Sequence, residues 1–226
     1  MNIIEIIETT VENMRDSATI TNIVDNANGT YTVTAPPKNL SNTDYVTIAS
    51  TTGFNAQYKI SSVSGTGFNI TKATGTAIPG SFGTYTANGP YFMKGRWSEI
   101  TRELIDKGES QTYKGQRFPL IVLLIPIEFE EDKKKNTTIK DVSGLTIYYF
   151  IETDGTKNTD WRYTNLYSTL ETLSESFNTE FKKAVIGEMI GSSEWNPHMD
   201  GRAYVFTSPV DAWVDTYSNL KLQNIC

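Results

Sequence analysis

Residues Phe118 to Phe129 read FPLIVLLIPIEF and include six successive apolar residues, from Leu120 to Ile125. A strand with one solvent-facing side alternates apolar and polar residues, whereas a strand covered on both faces is continuously apolar. Pro119 and Pro126 bracket too few residues for an ordinary helix, and the run is too short to span a membrane. We therefore predict a central strand that is buried on both faces.

Three amphipathic helices and several partner strands are predicted around this central strand. The predicted helices lie near residues 3–14, 97–105 and 163–185, and the predicted strands at residues 145–152, 202–207 and 210–222. Asp160 is the residue type that can cap the third helix. In the last strand, side chains alternate between two faces, so Trp213, Asp215 and Tyr217 are expected to share one face.

Residues 17–88 differ from the rest of the chain because they are rich in Ser, Thr, Asn and Gly and contain few charges. Segments with period-two patterning are separated by turn signals such as Asn28-Gly29, Gly53 and Gly65. This pattern predicts a small sandwich or barrel of about five or six short strands. The Gly-, Thr- and Ser-rich residues 74–90 are predicted to be the linker that leads out of it.

Helices on both sides of this β-module suggest that it interrupts another domain. The predicted fold class is α+β, with an antiparallel or mixed sheet covered by helices and an inserted small all-β module. The α+β domain would comprise residues 1–16 and 89–226, and the module residues 17–88. The alternative is that the module belongs to a separate N-terminal domain, because insertion requires that its two ends lie close together.

Charge and cysteine content restrict the function. The formal net charge of −6 disfavours tight binding to duplex DNA, which depends on Lys and Arg side chains that neutralise phosphates. The single cysteine, Cys226, excludes an intrachain disulfide. Glu5 and Glu8 interrupt the first apolar residues, and no basic region precedes them, so a signal peptide is not predicted. No apolar stretch has the length of a membrane span, and no membrane contact is predicted.

The sequence contains little that predicts catalysis. His198 is the only histidine, so a Ser-His-Asp or Cys-His arrangement would have to include it, and a histidine beside Pro197 is more often a loop residue. No phosphate-binding loop, dinucleotide fingerprint or paired-cysteine motif is present. The acidic residues 128–132 lack the spacing and the turn glycine of a calcium loop, and lysines follow them. We expect no catalytic, cofactor or metal site, and no enzyme activity.

Two features are candidates for a subunit interface. The first is a mixed-charge tip between two predicted strands, formed by Glu130, Glu131, Asp132, Lys133, Lys134 and Lys135. A solvated hairpin tip is the simpler interpretation, because exposed ion pairs contribute little. The second is the pair Trp161 and Trp195, which lie in polar contexts. Tryptophan is enriched both in cores and at interfaces, so either role fits these two side chains.

Several motifs resemble virion proteins of tailed bacteriophages. They are NGPYFMKGRWSEI at residues 88–100 and, after a helix, RFPLIVLL at residues 117–124. More narrowly, the chain resembles neck and tail ring proteins of tail-terminator or tail-completion type, as in crAss-like phages of Bacteroidetes. The closing run VDAWVDTYSNLKL at residues 210–222 is similar to the terminal strand of those proteins. The module is similar to small β-domains of phage tail proteins, although Asn55-Ala56 stands where Asn-Gly is usual.

The resemblance implies a structural subunit of a homo-oligomeric ring that contacts portal, neck or tail proteins. DNA would pass through the ring without sequence-specific binding, and the protein would be made in the host cytoplasm and reside in the virion. No catalytic residue carries over. The negative charge suggests a bore lined by acidic residues, past which DNA slides.

The alternative is a carbohydrate-binding or adhesion module on the surface of a phage or a cell. Sugar-binding platforms need exposed aromatic rings, and the module offers Tyr31, Phe54, Tyr58 and Phe68. Most of these four positions fit the inward side of the predicted strands.

Overall fold

The computed structural model divides the chain into two compact units. Unit 1 comprises Met1–Met14 and Pro90–Cys226, and unit 2 comprises Arg15–Gly89. The residues that the structure describes are 2–37, 40, 42, 44–109, 118–124, 128–131, 140–153, 155–186, 190–197, 210–218 and 220–222. The sequence predicted the boundaries between residues 16 and 17 and between residues 88 and 89, a few positions from those of the two units.

Unit 2 is a single antiparallel sheet that curls around its own core. Its strands are β1 Ser17–Thr19, β2 Asn22–Asp25, β3 Thr30–Thr34, β4 Tyr45–Ala49, β5 Ala56–Ser64, β6 Gly67–Thr71 and β7 Thr84–Ala87. They follow the order β1-β7-β4-β5-β6-β3-β2. The predicted strand count was therefore too low, and no second packed sheet forms a sandwich among the described residues of this unit.

The missed strand is β7, which lies within the predicted linker. Its Tyr85 and Ala87 are buried and alternate with exposed Thr84 and Thr86, so β7 has the period-two pattern of a half-buried strand. Four residues among many Gly, Ser and Thr are too few to distinguish this pattern from a loop.

The two ends of unit 2 are adjacent because β1 pairs with β7. Ser17 lies opposite Thr86, and the backbone N–H of Ala87 donates to the carbonyl oxygen of Asp16 at 2.7 Å. The hydroxyl of Tyr85 also donates to Asp16 Oδ2, at 3.0 Å. The chain thus enters and leaves the module at neighbouring positions, which is the geometry that an insertion requires.

Unit 1 is built on a five-stranded mixed sheet in the order β8-β9-β11-β14-β13, in which only the β8–β9 pair is parallel. Strands β10 and β15 pair with the beginning of β11, and β12 pairs with β15. The elements of unit 1 are α1 Ile3–Met14, β8 Tyr91–Gly95, α2 Trp97–Glu109, β9 Leu120–Leu124, β10 Glu128–Glu131, β11 Lys140–Glu152, α3 Thr159–Phe181, β12 Val185–Ile186, β13 Ile190–Asn196, β14 Val210–Ser218 and β15 Leu220–Leu222.

The predicted buried strand is confirmed as β9, which has a neighbouring strand on each side. Leu120 and Val122 belong to one hydrophobic cluster of the sheet, whereas Ile121 and Leu123 belong to the other. Successive side chains of a strand point to opposite faces, so an uninterrupted apolar run is what burial on both faces requires.

The three helices contribute side chains to the two hydrophobic clusters of unit 1. α1 and α3 contribute to the cluster that contains Ile121, and α2 contributes Ile100 and Leu104 to the cluster that contains Leu120. The fold class is therefore mixed α+β, as predicted, with sheets as the dominant structure. The narrower prediction of a sheet covered by helices stays a prediction. No helix within the described ranges is long and apolar enough to span a membrane.

Three details of the second half of unit 1 differ from the prediction. The N-cap of α3 is Asn158 rather than Asp160, because the Asn158 side chain accepts from the backbone N–H of Trp161 at 2.9 Å. The helix ends at Phe181, and Val185 begins β12 instead of extending the helical stripe. Strand β13 was not predicted at all, since its sequence IGSSEWN lacks apolar alternation. The strand predicted at residues 202–207 lies outside the described residues.

Candidate functional site

The contact between α3 and the strands β13 and β14, here called the α3 seam, brings together the unusual side chains of unit 1. The seam contains a buried ion pair at the start of α3, an aromatic cluster along its first half and a buried carboxylate along its second half. Each of these features joins the helix to the sheet and thereby fixes the surface that α3 presents.

The ion pair joins Arg162 of α3 to Asp211 of β14. Arg162 Nη1 lies 2.7 Å from Asp211 Oδ1, and both side chains are 0% exposed. Arg162 Nε also donates to the carbonyl oxygen of Lys157 at 3.1 Å. Removing either partner from such a pair would leave a charge in the interior, which is strongly unfavourable. The pair therefore holds the first turn of α3 against β14.

The aromatic cluster consists of Tyr163 and Tyr167 of α3, Trp195 of β13 and Trp213 of β14. Ring centroids of neighbouring members lie 4.9–5.7 Å apart, with mostly edge-to-face geometry, which is a favourable arrangement for aromatic pairs. Tyr163 is at the solvent end and is 56% exposed. The cluster therefore presents a partly exposed aromatic surface on a rigid base.

The two tryptophans predicted as interface residues are not brought together. Trp195 is half-buried within the aromatic cluster. Trp161 is 39% exposed and precedes Tyr163 by two positions, which places it about 200° away around the helix axis. Lys157 Nζ lies 5.4 Å from the ring centroid of Trp161, within range of a cation–π interaction. α3 thus presents aromatic side chains in two different directions.

Asp215 of β14 is the buried carboxylate of the seam, with only 2% of its surface exposed. Oδ1 accepts from Ser193 Oγ at 2.6 Å and Trp213 Nε1 at 2.9 Å, and Oδ2 accepts from Ser174 Oγ at 2.6 Å, Asn178 Nδ2 at 3.1 Å and the Tyr217 hydroxyl at 3.2 Å. These donors come from α3, β13 and β14. One carboxylate therefore joins three elements, and neutral donors satisfy both of its oxygens.

Two tyrosines extend this network into the core. The hydroxyl of Tyr217 shares its single proton between Asp215 Oδ2 and Asn178 Oδ1, which is 2.9 Å away, and it lies 3.2 Å from the hydroxyl of Tyr149. Burial raises the pKa of both phenols above the ordinary tyrosine value, and the nearby Asp215 carboxylate acts in the same direction. Both hydroxyls consequently stay protonated and serve as donors in the folded protein.

An open groove of about 460 Å³ lies beside the Asp215 network. Five hydroxyl side chains line it, those of Thr179, Ser192, Ser193, Thr216 and Tyr217. Glu175 of α3 and Lys182, the C-cap of that helix, supply one negative and one positive charge to the same groove, and the Asp215 carboxylate also lines it. The groove is therefore polar, with hydroxyl groups between opposite charges.

Only some of these residues could be predicted from the sequence. Trp213, Asp215 and Tyr217 were predicted to share a face of their strand, and all three are buried, as expected for one face. A carboxylate on a buried face needs partners, but Ser174 and Asn178 look like ordinary polar positions of a surface helix. The burial of Arg162 could not be predicted, because an arginine in the first turn of a helix is usually solvated.

The predicted mixed-charge tip lies mostly outside the described residues. The backbones of Glu130 and Glu131 are in β10, opposite Asp141 and Lys140. The side chains of Glu130 and Glu131 and all of Asp132, Lys133, Lys134 and Lys135 are outside the description. His198 and Cys226 are outside it as well.

Within the described part of the chain, no group of three or more His, Cys, Asp or Glu residues is arranged to hold a metal ion. No protein-family model matches the chain, and no curated protein matches its sequence. The residues of the α3 seam and their geometry are therefore the basis for a functional proposal.

Proposed function

We propose that the protein is a structural subunit of a homo-oligomeric ring in the neck or tail of a tailed bacteriophage, as the sequence resemblance implies. Unit 1 would be the tail-terminator-like domain, and unit 2 the module inserted into it. The observation that best supports assembly is the pair of exposed aromatic side chains at the start of α3, Trp161 and Tyr163. Tryptophan and tyrosine are enriched at protein interfaces relative to the remaining surface.

Trp161 and Tyr163 point in different directions, which is what the contacts of a head-to-tail ring require. A closed ring with head-to-tail contacts uses two different patches on every subunit, one for each neighbour. Trp161 and Tyr163 lie on different sides of α3, so each can belong to a different patch. The buried pair of Arg162 and Asp211 holds this part of the helix in place, which lowers the entropy lost on association.

The hairpin of β10 and β11 is a second proposed contact. Beyond the five-stranded sheet, β10 pairs with the beginning of β11, from Lys140 to Gly144. The mixed-charge residues 130–135 at its tip would pair with an adjacent subunit. The net charge of −6 is consistent with a bore that does not retain passing DNA. Portal, neck or tail proteins would be the neighbours along the axis, and the virion the location.

Carbohydrate binding by the β-module, the alternative function, has no specific support. Tyr31, Phe54, Tyr58 and Phe68 are all buried in the core of unit 2. They offer no exposed ring on which a sugar could stack. The ring subunit is therefore the preferred proposal.

The test is the oligomeric state of the purified full chain, measured by size-exclusion chromatography with light scattering and by negative-stain microscopy. We expect assembly of the wild-type protein and a loss of assembly in Trp161→Ser and in Tyr163→Ser. A central interface aromatic typically contributes 2 kcal/mol or more, so each contact should weaken by about 30-fold or more. Ile78→Ser, which changes an exposed apolar residue of unit 2, is the control.

A mixture of the two variants gives a more specific result. If Trp161 and Tyr163 belong to opposite sides of one interface, each variant retains one intact patch. Equal amounts of the two should then form dimers, whereas either variant alone stays monomeric. A monomeric wild-type protein that is also absent from purified phage particles would refute the proposal.

A further inference from the structure

We propose that the groove of the α3 seam binds a neutral polyhydroxylated ligand, such as the sugar rings of an oligosaccharide. The groove belongs to unit 1, whereas the aromatic residues Tyr31, Phe54, Tyr58 and Phe68 belong to unit 2. Its volume of about 460 Å³ is within the range of small-molecule sites, about 300–1,000 Å³. This inference does not depend on ring assembly.

The lining matches the hydrogen-bonding chemistry of a polyol. A sugar hydroxyl both donates and accepts, so its site needs donors and acceptors in close succession. The groove offers the carboxylate of Glu175, which only accepts, and the ammonium of Lys182, which only donates. The hydroxyls of Ser192 and Thr216 can do either. Apolar ligands would find few partners among these groups.

The two charged groups have unused hydrogen-bonding capacity. Glu175 and Lys182 are seven positions apart in α3, which corresponds to about 10 Å along the helix axis. Within the described part of the chain, neither takes part in an ion pair. The Asp215 carboxylate also lines the groove, but five donors already bind it. The charges left for a ligand are therefore the opposite ones of Glu175 and Lys182, which favours a neutral ligand over an ion.

Several groups of the lining are already held in position. Ser193 Oγ and Asn178 Nδ2 donate to Asp215 at 2.6 Å and 3.1 Å. The Thr179 hydroxyl donates to the carbonyl oxygen of Glu175 at 2.8 Å, so its lone pairs remain for a ligand. Polar groups that are fixed before binding lose little entropy when the ligand arrives.

The aromatic cluster extends the same seam toward the start of α3. Trp195 follows Ser193 by two residues on the same side of β13, a displacement of about 7 Å along the strand. Beyond it, Tyr163 exposes more than half of its surface. In a subunit whose Tyr163 is not covered by a neighbour, a second sugar unit can stack on this ring, because aromatic faces pack against the C–H groups of a sugar. The seam is therefore suited to more than one unit of a chain.

Saturation-transfer NMR on the full-length protein, with maltotriose, cellotriose and lactose as separate probes, tests the proposal. We expect signal transfer to at least one probe. Thr179→Val and Glu175→Gln should each weaken its binding by about five- to tenfold, the usual effect of losing one hydrogen bond. Thr172→Val is the matched control, because Thr172 is on the same helix and donates to a backbone carbonyl at 2.7 Å in the same way. Thr172 does not line the groove.

The outcomes separate this proposal from the previous one. Transfer that Thr179→Val and Glu175→Gln reduce, and that Thr172→Val leaves unchanged, supports the groove whether or not the protein forms rings. Absence of transfer to all three probes at millimolar concentration overturns it. Binding that is insensitive to both groove variants overturns it as well, since the sugar would then occupy another surface.

Discussion

Replacing Asp215 by Asn is expected to destabilise unit 1 markedly, although the two side chains have almost the same shape. Asparagine exchanges one acceptor oxygen for an NH₂ group, which only donates. The indole N–H of Trp213 is also only a donor, so the amide oxygen must take the Oδ1 position. The new NH₂ group then faces the three donors of Oδ2, which are Ser174, Asn178 and Tyr217.

Two of these three donors can adapt. The Ser174 hydroxyl can rotate to accept, and the Tyr217 hydroxyl can donate to Asn178 Oδ1, which is already 2.9 Å away. The half-buried Asn178 amide keeps Ser174 Oγ as an acceptor at 3.3 Å, but its other N–H loses the carboxylate and faces a donor, which costs about 1–3 kcal/mol. The remaining bonds to Oδ1 lose their charge assistance, about 1–2 kcal/mol together. The expected loss in unfolding free energy is therefore about 2–5 kcal/mol.

Urea unfolding followed by tryptophan fluorescence measures this loss in unit 1 alone. All four tryptophans lie in unit 1, at positions 97, 161, 195 and 213. With a urea dependence of about 2 kcal/mol/M, the midpoint should fall by about 1–2.5 M. Asp106→Asn is the matched control, since Asp106 is exposed on α2 and its change should stay within about 0.5 kcal/mol. A loss for Asp215→Asn as small as that of the control would refute the role assigned to the network.

Two further perturbations test the seam and its core. Arg162→Met removes the buried cation beside Asp211 and should lower the unfolding free energy of unit 1 by about 3–5 kcal/mol. The control is Lys183→Met, which removes the cation of an exposed pair and should lower the unfolding free energy by less than about 1 kcal/mol. Equal shifts of the two urea midpoints would contradict the role of the buried pair. Folding raises the pKa of Tyr149 and Tyr217, so both phenols stay protonated in the folded protein at a pH at which they ionise in the unfolded chain. Their contribution to stability is therefore complete below pH 10, about the pKa of tyrosine in an unfolded chain. Above that pH, stability should fall by up to about 1.4 kcal/mol per pH unit for each group. Tyr149→Phe should make the decline in urea midpoint between pH 9 and 11 less steep, and an unchanged slope would argue against its burial.

The parts of the fold that the sequence predicted well are those in which burial requires many apolar residues. β9 is buried on both faces, so its sequence could hardly be anything but apolar. α1 and α2 bury one stripe each, and their spacing is correspondingly clear. β7 was missed because its four residues are too few for their alternation to stand out, and β13 because its sequence IGSSEWN lacks apolar alternation.

The candidate site was harder to predict because tertiary contacts, which the sequence pattern does not show, determine which of its polar residues are partners. The position of Asp215 on an inward strand face was visible, but the identity of its donors was not. Ser174 and Ser193 are 19 positions apart in the chain. Both donate to Asp215, and they can do so only because α3 packs across β13 and β14. Likewise, the choice of Asn158 over Asp160 as N-cap depends on where the preceding turn ends.

The distribution of unit 1 over two segments has a consequence for synthesis on the ribosome. α1 packs against α3, yet unit 2 and residues 90–158 of unit 1 are translated between them. At about 5–20 residues per second, Phe181 emerges roughly 10–30 s after Met14. Unit 2 can fold meanwhile, because all its strands are complete once Ala87 has been made. The apolar face of α1, including Ile6, Ile7 and Val11, stays uncovered for that interval and is a natural site for a chaperone to bind.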